Sequence, residues 1–256
     1  SYIVRSMAFS PDSSKLAIAQ SDNIVFIYKV GFEWGDKKSI CNKFSSSSSV
    51  TALTWPMAQP NEIVYGTAEG KVVDGQLRNN KSATLYSTSS YVTNLCSSPE
   101  GDRIISSHLD GTIYRFLFSD IENGGRPSHA RLVIHPCGIY ALSWGRSICA
   151  AGNDGRVCFY DEDGGTEREF DFTSDSKCKD FTTASFNPAG ETVVVGNYDR
   201  IYVFSLNRDG IWEDGGFKEI LNLYSVSSLV WKPDGSRLGI VSSCGVVDLY
   251  DACLRR

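Results

Sequence analysis

The chain has 256 residues, of which 41% are hydrophobic and 21% charged, and its formal net charge is −5. This apolar share can form a sizeable core and excludes disordered and fibrous proteins, while an acidic balance without a basic run disfavours nucleic acid as a partner. No apolar run approaches the roughly 20 residues of a membrane-spanning helix, so the sequence predicts no membrane span.

The eight cysteines are scattered along the chain, without a C-x-x-C pair or a companion histidine cluster. Several lie in apolar runs such as SICAAG and RVCFYD, where a reduced cysteine behaves as a small hydrophobic residue. The sequence therefore predicts reduced thiols in an intracellular protein.

Short β-branched and aromatic runs separated by turn signals predict an all-β protein. A unit of three such runs occurs six times, and the first run of each unit ends at an anchor residue; in chain order the anchors are Phe9, Trp55, Ser97, Trp144, Phe186 and Trp231. The steps between them are 46, 42, 47, 42 and 45 residues. This is the period of a four-stranded propeller blade.

Five intervals between units can supply a fourth, outer strand; the candidates are Lys38 to Phe44, Lys81 to Tyr86, Arg131 to Ile134, Glu167 to Phe172 and Phe217 to Leu223. The sixth unit has no such segment. The serine run from Ser45 then falls in a loop, so it need not be a linker between domains. We therefore predict one domain over residues 1–256.

Several short sequence segments, spread over essentially the whole chain, resemble repeats of the WD40-repeat family: FSPD, WKPDGS, HLDGTIYRF, GNDGRVCFYD and LYD. The resemblance implies a WD40 β-propeller, whose blades contain a buried network of a histidine, a tight-turn Asp and a third-strand aromatic. His135, Asp154 and Tyr160 match this pattern, with Ile134 where the family usually has Gly before the histidine. Asp110 and Asp199 keep only the acidic member.

A narrower resemblance, to the first propeller of the intraflagellar transport protein 172 family, rests on SDNIVFIYKVGFEWGDKKSICNKF, VIHPC and DACLRR. WGDKKSICNKF lies outside the repeat pattern, so it indicates this family in particular. The resemblance implies a seven-bladed propeller. Because the sixth unit lacks an outer strand, we expect this chain to be a fragment without the N-terminal blade and closing strand.

No pattern predicts catalysis, a cofactor or a metal site. The three histidines, His108, His129 and His135, include no pair at ligand spacing, and no G-x-S-x-G is present. GTAEGKV at residues 66–72 has three residues between its glycines and precedes a strand, so it is read as a hairpin turn and not as a phosphate loop. DEDGG at residues 161–165 lacks the downstream Glu of a calcium loop.

The family resemblance implies a non-enzymatic interaction scaffold in complex B of intraflagellar transport, needed for assembly of the cilium or flagellum. Expected partners are other complex B subunits and, indirectly, kinesin and dynein motors; expected locations are the cytoplasm, cilium and basal body. The alternative is a propeller of a vesicle-coat-like or other cytoplasmic WD40 scaffold, and an enzymatic propeller is a third interpretation.

Four residues are candidates for partner binding. In WD40 proteins the residue before the tight-turn Asp and the residue six before the anchor face the entrance of the channel, which gives Leu109, Tyr198 and Tyr91 here. Trp34 lies in the polar segment GFEWGDKK. Exposed aromatic residues are common in binding hot spots.

Overall fold

The structure is a computed structural model that describes every residue except Ser1, Phe32, Trp34, 37–38, 119–128, Lys179, 221–224, Ala252 and Arg256. All regular elements in the described part are β-strands, 23 in number. The prediction of an all-β chain is confirmed.

The strands form six separate antiparallel sheets, which we number as blades 1 to 6. Blade 1 consists of β1 (Val4–Phe9), β2 (Lys15–Gln20), β3 (Ile24–Lys29) and β4 (Ser39–Ser45); blade 2 of β5 (Val50–Thr54), β6 (Glu62–Thr67), β7 (Lys71–Gln76) and β8 (Lys81–Ser87); blade 3 of β9 (Val92–Ser97), β10 (Arg103–His108), β11 (Thr112–Leu117) and β12 (His129–Ile134). In each of these sheets the strands neighbour one another in chain order.

The second half of the chain repeats the arrangement. Blade 4 consists of β13 (Ile139–Trp144), β14 (Ile148–Gly152), β15 (Arg156–Tyr160) and β16 (Thr166–Asp171); blade 5 of β17 (Thr183–Phe186), β18 (Thr192–Gly196), β19 (Arg200–Leu206) and β20 (Trp212–Glu219); blade 6 of β21 (Val226–Trp231), β22 (Arg237–Ser242) and β23 (Val247–Asp251). The described residues of blade 6 thus contribute three strands. The six predicted repeats are confirmed as six blades of the WD40 propeller type.

The chain divides into two compact units, Ser1–Ile134 with blades 1 to 3 and His135–Arg256 with blades 4 to 6. In each unit the core lies between adjacent blades, because apolar side chains of neighbouring sheets pack face to face. One such cluster joins Ile27 of blade 1 to Ile63 of blade 2, and another joins Phe159 of blade 4 to Phe204 of blade 5. The assignment of residues 1–256 to a single domain stays a prediction.

Glycines close the predicted tight turns between the second and third strands. Gly70, Gly111 and Gly155 have φ angles of 86°, 83° and 72°, a region that side chains with a Cβ rarely adopt. A Cβ at Gly70 would also meet the carbonyl oxygens of Thr88 and Ser90 at 2.5 and 2.6 Å. The turn at residues 66–72 is therefore a β6–β7 hairpin, as predicted.

One predicted strand is displaced. The outer strand of blade 5 was expected from Phe217 to Leu223, but β20 begins five residues earlier, at Trp212. The reason is a compact turn, in which the Asn207 amide donates to the carbonyl of Ile211 and the Asn207 side chain accepts from the amides of Asp209 and Ile211. The chain therefore reverses direction immediately before Trp212.

Candidate functional site

The predicted network in blade 4 is assembled from three separate segments. His135 directly follows β12, Asp154 lies in the β14–β15 turn, and Tyr160 is the last residue of β15. His135 Nδ1 lies 2.9 Å from the Tyr160 hydroxyl, and His135 Nε2 lies 4.0 Å from Asp154 Oδ2. The structure therefore brings the three side chains together, with a hydrogen bond to Tyr160 and a longer approach to Asp154.

Burial controls the protonation of this network. His135 is 1% exposed, and loss of hydration lowers the pKa of its imidazole. The negative charges of Asp154 and Glu169 raise this pKa, but by less. Burial also raises the pKa of the Tyr160 hydroxyl. Both shifts favour the uncharged forms of His135 and Tyr160 at neutral pH, so the two side chains interact through a hydrogen bond and not as an ion pair.

Cys137 adds a third potential metal ligand that the sequence analysis did not combine with the other two. One ligand atom from each of His135, Cys137 and Asp154 lies within 4.8 Å of the others. Burial, followed by the nearby charge of Asp154, raises the pKa of the Cys137 thiol. The only sequence signal was the H-x-C spacing, because Asp154 lies 17 residues further along the chain.

A second buried network lies in unit 1, residues Ser1–Ile134, and the sequence pattern did not predict it. The Tyr86 hydroxyl donates to Ser106 Oγ at 2.8 Å, Ser106 Oγ lies 2.8 Å from His108 Nε2, and His108 Nδ1 lies 3.0 Å from the carbonyl oxygen of Ser90. If Nδ1–H donates to that carbonyl, the Ser106 hydroxyl donates to Nε2, and each polar side-chain atom of this Tyr86–Ser106–His108 network has a partner. Blade 3 thus combines the tight-turn Asp110 with a histidine on β10, whereas the sequence pattern showed only the Asp.

The candidate partner-binding residues occupy different places. Tyr91 and Leu109 are neighbours in unit 1, since the Leu109 amide donates to the Tyr91 carbonyl at 3.0 Å, and they are 42% and 50% exposed. Tyr198 belongs to unit 2, is 48% exposed, and lines a groove of about 320 Å³ with Asp180, Thr182 and Ser225. Trp34 lies outside the described residues.

Comparison with known protein families identifies a repeat family in two of these blades. The family described as WD domain, G-beta repeat matches residues 1–29 and 79–116, which contain the first three strands of blade 1 and most of blade 3. The chain therefore contains WD40 repeats. The whole chain is also similar to longer curated proteins.

The Chlamydomonas reinhardtii intraflagellar transport protein 172 is 53% identical to the WD40 chain over 260 residues. The human homologue of that protein is 49% identical over 258 residues, and the Caenorhabditis elegans intraflagellar transport protein osm-1 is 39% identical over 257 residues. Each match covers 100% of the WD40 chain but only 14–15% of the relative. The chain thus spans about one seventh of the length of these relatives.

Among the described residues of the WD40 chain there is no helix long and apolar enough to cross a membrane.

Proposed function

We propose that the chain is a docking module of an intraflagellar transport protein, acting as a non-enzymatic scaffold within complex B. The observation that carries this proposal is similarity over the full 256 residues to relatives named as intraflagellar transport proteins, at 53%, 49% and 39% identity. The similarity includes loops as well as blade strands. Shared architecture alone would support only a propeller of unspecified function.

The expected partners are other complex B subunits, with kinesin and dynein motors engaged indirectly. The expected locations are the cilium or flagellum, the basal body and the cytoplasm. A scaffold needs exposed side chains that a partner can cover, and Tyr91 and Leu109 supply an adjacent pair of large exposed side chains. Tyr198 beside its groove offers a second candidate contact.

The proposal is tested in the full-length protein, expressed in ciliated cells that lack their own copy. One variant carries Tyr91→Ser with Leu109→Ser, a second carries Tyr198→Ser, and a control carries Ile40→Ser. Ile40 is 54% exposed on the outer strand β4, so the control removes similar apolar area elsewhere. Co-precipitation of complex B subunits and cilium length are the measurements.

We expect the unsubstituted protein to restore cilia and to capture complex B subunits. At least one of the two test variants should lose a captured subunit, while Ile40→Ser keeps all of them. Failure of the unsubstituted protein to enter cilia or to capture complex B would contradict the proposed function itself. Normal capture by both folded test variants would exclude these residues as contacts, and Trp34 would become the next candidate.

A further inference from the structure

Three side chains with different metal-binding atoms converge beside the first strand of blade 4. His135 and Cys137 lie two residues apart before β13, and Asp154 reaches the same place from the β14–β15 turn. Their ligand atoms lie within 4.8 Å of one another. A nitrogen, a sulfur and a carboxylate oxygen form a donor set typical of zinc, whereas the thiol disfavours the hard cations Mg²⁺ and Ca²⁺.

Two buried atoms in this cluster lack hydrogen-bond partners. His135 Nε2 and Asp154 Oδ2 are both inaccessible and have no partner at standard hydrogen-bond distance; they face each other at 4.0 Å, and the Cys137 thiol interacts with the Asp154 side chain. That distance is too long for a direct hydrogen bond. An unpaired buried polar atom is costly, so both atoms would be stabilised by a positive group between them.

The other side of the imidazole favours a metal-binding state. Nδ1 contacts the Tyr160 hydroxyl at 2.9 Å, and that hydroxyl also hydrogen-bonds Cys158. When Tyr160 accepts the proton of Nδ1–H, the Nε2 lone pair is directed at Asp154. A partner on the second ring nitrogen is the usual means of orienting a metal-binding histidine.

The spacing is close to what tetrahedral zinc requires. Zinc bonds of about 2.0–2.3 Å to N, O and S place pairs of ligand atoms roughly 3.3–3.8 Å apart. The observed separation of 4.0 Å between His135 Nε2 and Asp154 Oδ2, and separations of at most 4.8 Å to Cys137 Sγ, would therefore contract by at most about 1.3 Å. Cys137 lies in a loop before β13, and the Asp154 side chain is 18% exposed, which leaves a path for the ion from solvent.

We propose that His135 Nε2, Cys137 Sγ and Asp154 Oδ2 form a zinc site, with water as the fourth ligand. Binding releases the thiol proton of Cys137, because the thiolate is the ligand. The ion would join the loop before β13 to the β14–β15 turn, two segments that Gly152 also brings together, since a Cβ there would lie 2.6 Å from Cys137 Sγ. The competing arrangement is a thiol or water that bridges His135 and Asp154 by hydrogen bonds.

The test uses the full-length protein, purified without chelator and then dialysed against a buffer that contains a trace concentration of zinc. Zinc per chain is measured by plasma mass spectrometry for the unsubstituted protein and for Cys137→Ser and Asp154→Asn. Cys253→Ser is the matched control, because Cys253 is an exposed free thiol outside the cluster. Replacement of zinc by Co²⁺ adds a spectroscopic measurement, the thiolate-to-cobalt charge-transfer absorption.

Cys137→Ser and Asp154→Asn should each bind one zinc fewer per chain than the unsubstituted protein and Cys253→Ser. Cys137→Ser should also lose a cobalt–thiolate contribution that Cys253→Ser keeps. Hydrogen exchange of blade 4 peptides shows whether each variant is folded. Equal zinc content and equal cobalt spectra in all four folded proteins would overturn the site and support the hydrogen-bonded arrangement. If blade 4 of a variant is unfolded, Cys137→Ala replaces that variant, and the same two outcomes apply to it.

Discussion

Asp74 is a buried carboxyl group that makes the stability of blade 2 depend on pH. It lies on β7, is 4% exposed, and its Oδ1 has no hydrogen-bond partner. Burial, with a smaller contribution from the charge of Glu62, raises the pKa of Asp74 from 3.8 to about 7. The folded state therefore holds a proton that the unfolded chain has already released at pH 5 to 6.

The sign of the effect follows from proton linkage. Between about pH 4 and pH 7 the native state binds more protons at Asp74 than the unfolded state, so this group's contribution to stability falls as pH rises, by a total on the order of 4 kcal/mol. Asp74→Asn should remove that slope and stabilise blade 2 at pH 8. Hydrogen exchange of β6 and β7 amides across this range measures it, with the exposed Asp209→Asn as control. An unchanged slope in Asp74→Asn would show that the carboxyl is hydrated in the folded protein.

His135 is expected to stabilise blade 4 through its hydrogen bond to Tyr160. His135→Ala leaves the buried Tyr160 hydroxyl without this partner and should cost on the order of 1–3 kcal/mol. Tyr160→Phe removes the same hydrogen bond from the opposite side. Unfolding should be measured with a chelator present, so that bound metal makes no contribution. Unchanged stability in His135→Ala, or lost partner binding with stability intact, would contradict a structural role.

At the scale of single elements, Trp212 holds the outer strand β20 against the neighbouring blade. Its indole N–H donates to Ser147 Oγ at 3.0 Å, and its ring stacks on Phe159 at 4.4 Å between centroids. The side chain is 2% exposed. One residue therefore links the start of β20 to the β13–β14 turn and to strand β15 of blade 4.

Trp212→Ala should destabilise the contact between blades 4 and 5 by about 3–5 kcal/mol, the usual cost of deleting a buried aromatic side chain. Trp212→Phe keeps the stacking surface and loses the hydrogen bond, so its cost should be nearer 1 kcal/mol. Amide exchange in β15 and β20 measures both variants. The contact assignment is wrong if the Ala variant accelerates exchange no more than the Phe variant.

Blade strands were more predictable than side-chain clusters, for a physical reason. Anchors such as Trp55 and Trp144 recur at steps of 42 to 47 residues because each blade repeats the same order of strands and turns, so the period alone located the first strand of every blade. The start of β20 depended instead on the local turn at Asn207. The grouping of Cys137 with Asp154 depends on how two loops meet, and no local pattern in the sequence encodes that meeting.

At the scale of the whole chain, the first and last blades carry apolar side chains that nothing in the described structure covers. On β1, Met7 and Phe9 are 59% and 57% exposed; on β23, Val247 and Leu249 are each 62% exposed. In both strands the two residues are separated by one position, so they project from the same face of the sheet. Each pair thus forms a small continuous apolar surface.

Exposed apolar strand surfaces favour association, so the 256-residue chain expressed alone should self-associate with increasing concentration. Phe9→Ser with Met7→Ser, or Val247→Ser with Leu249→Ser, should reduce association by removing one of these surfaces. Ile134→Ser is the control, since Ile134 is 63% exposed on the outer strand β12. Sedimentation velocity measures the distribution of species.

A stable monomer at all concentrations would refute the expectation that further propeller sequence covers these strands. If adding the preceding sequence of a relative converts the associating chain into a monomer, the covering element is part of the same polypeptide.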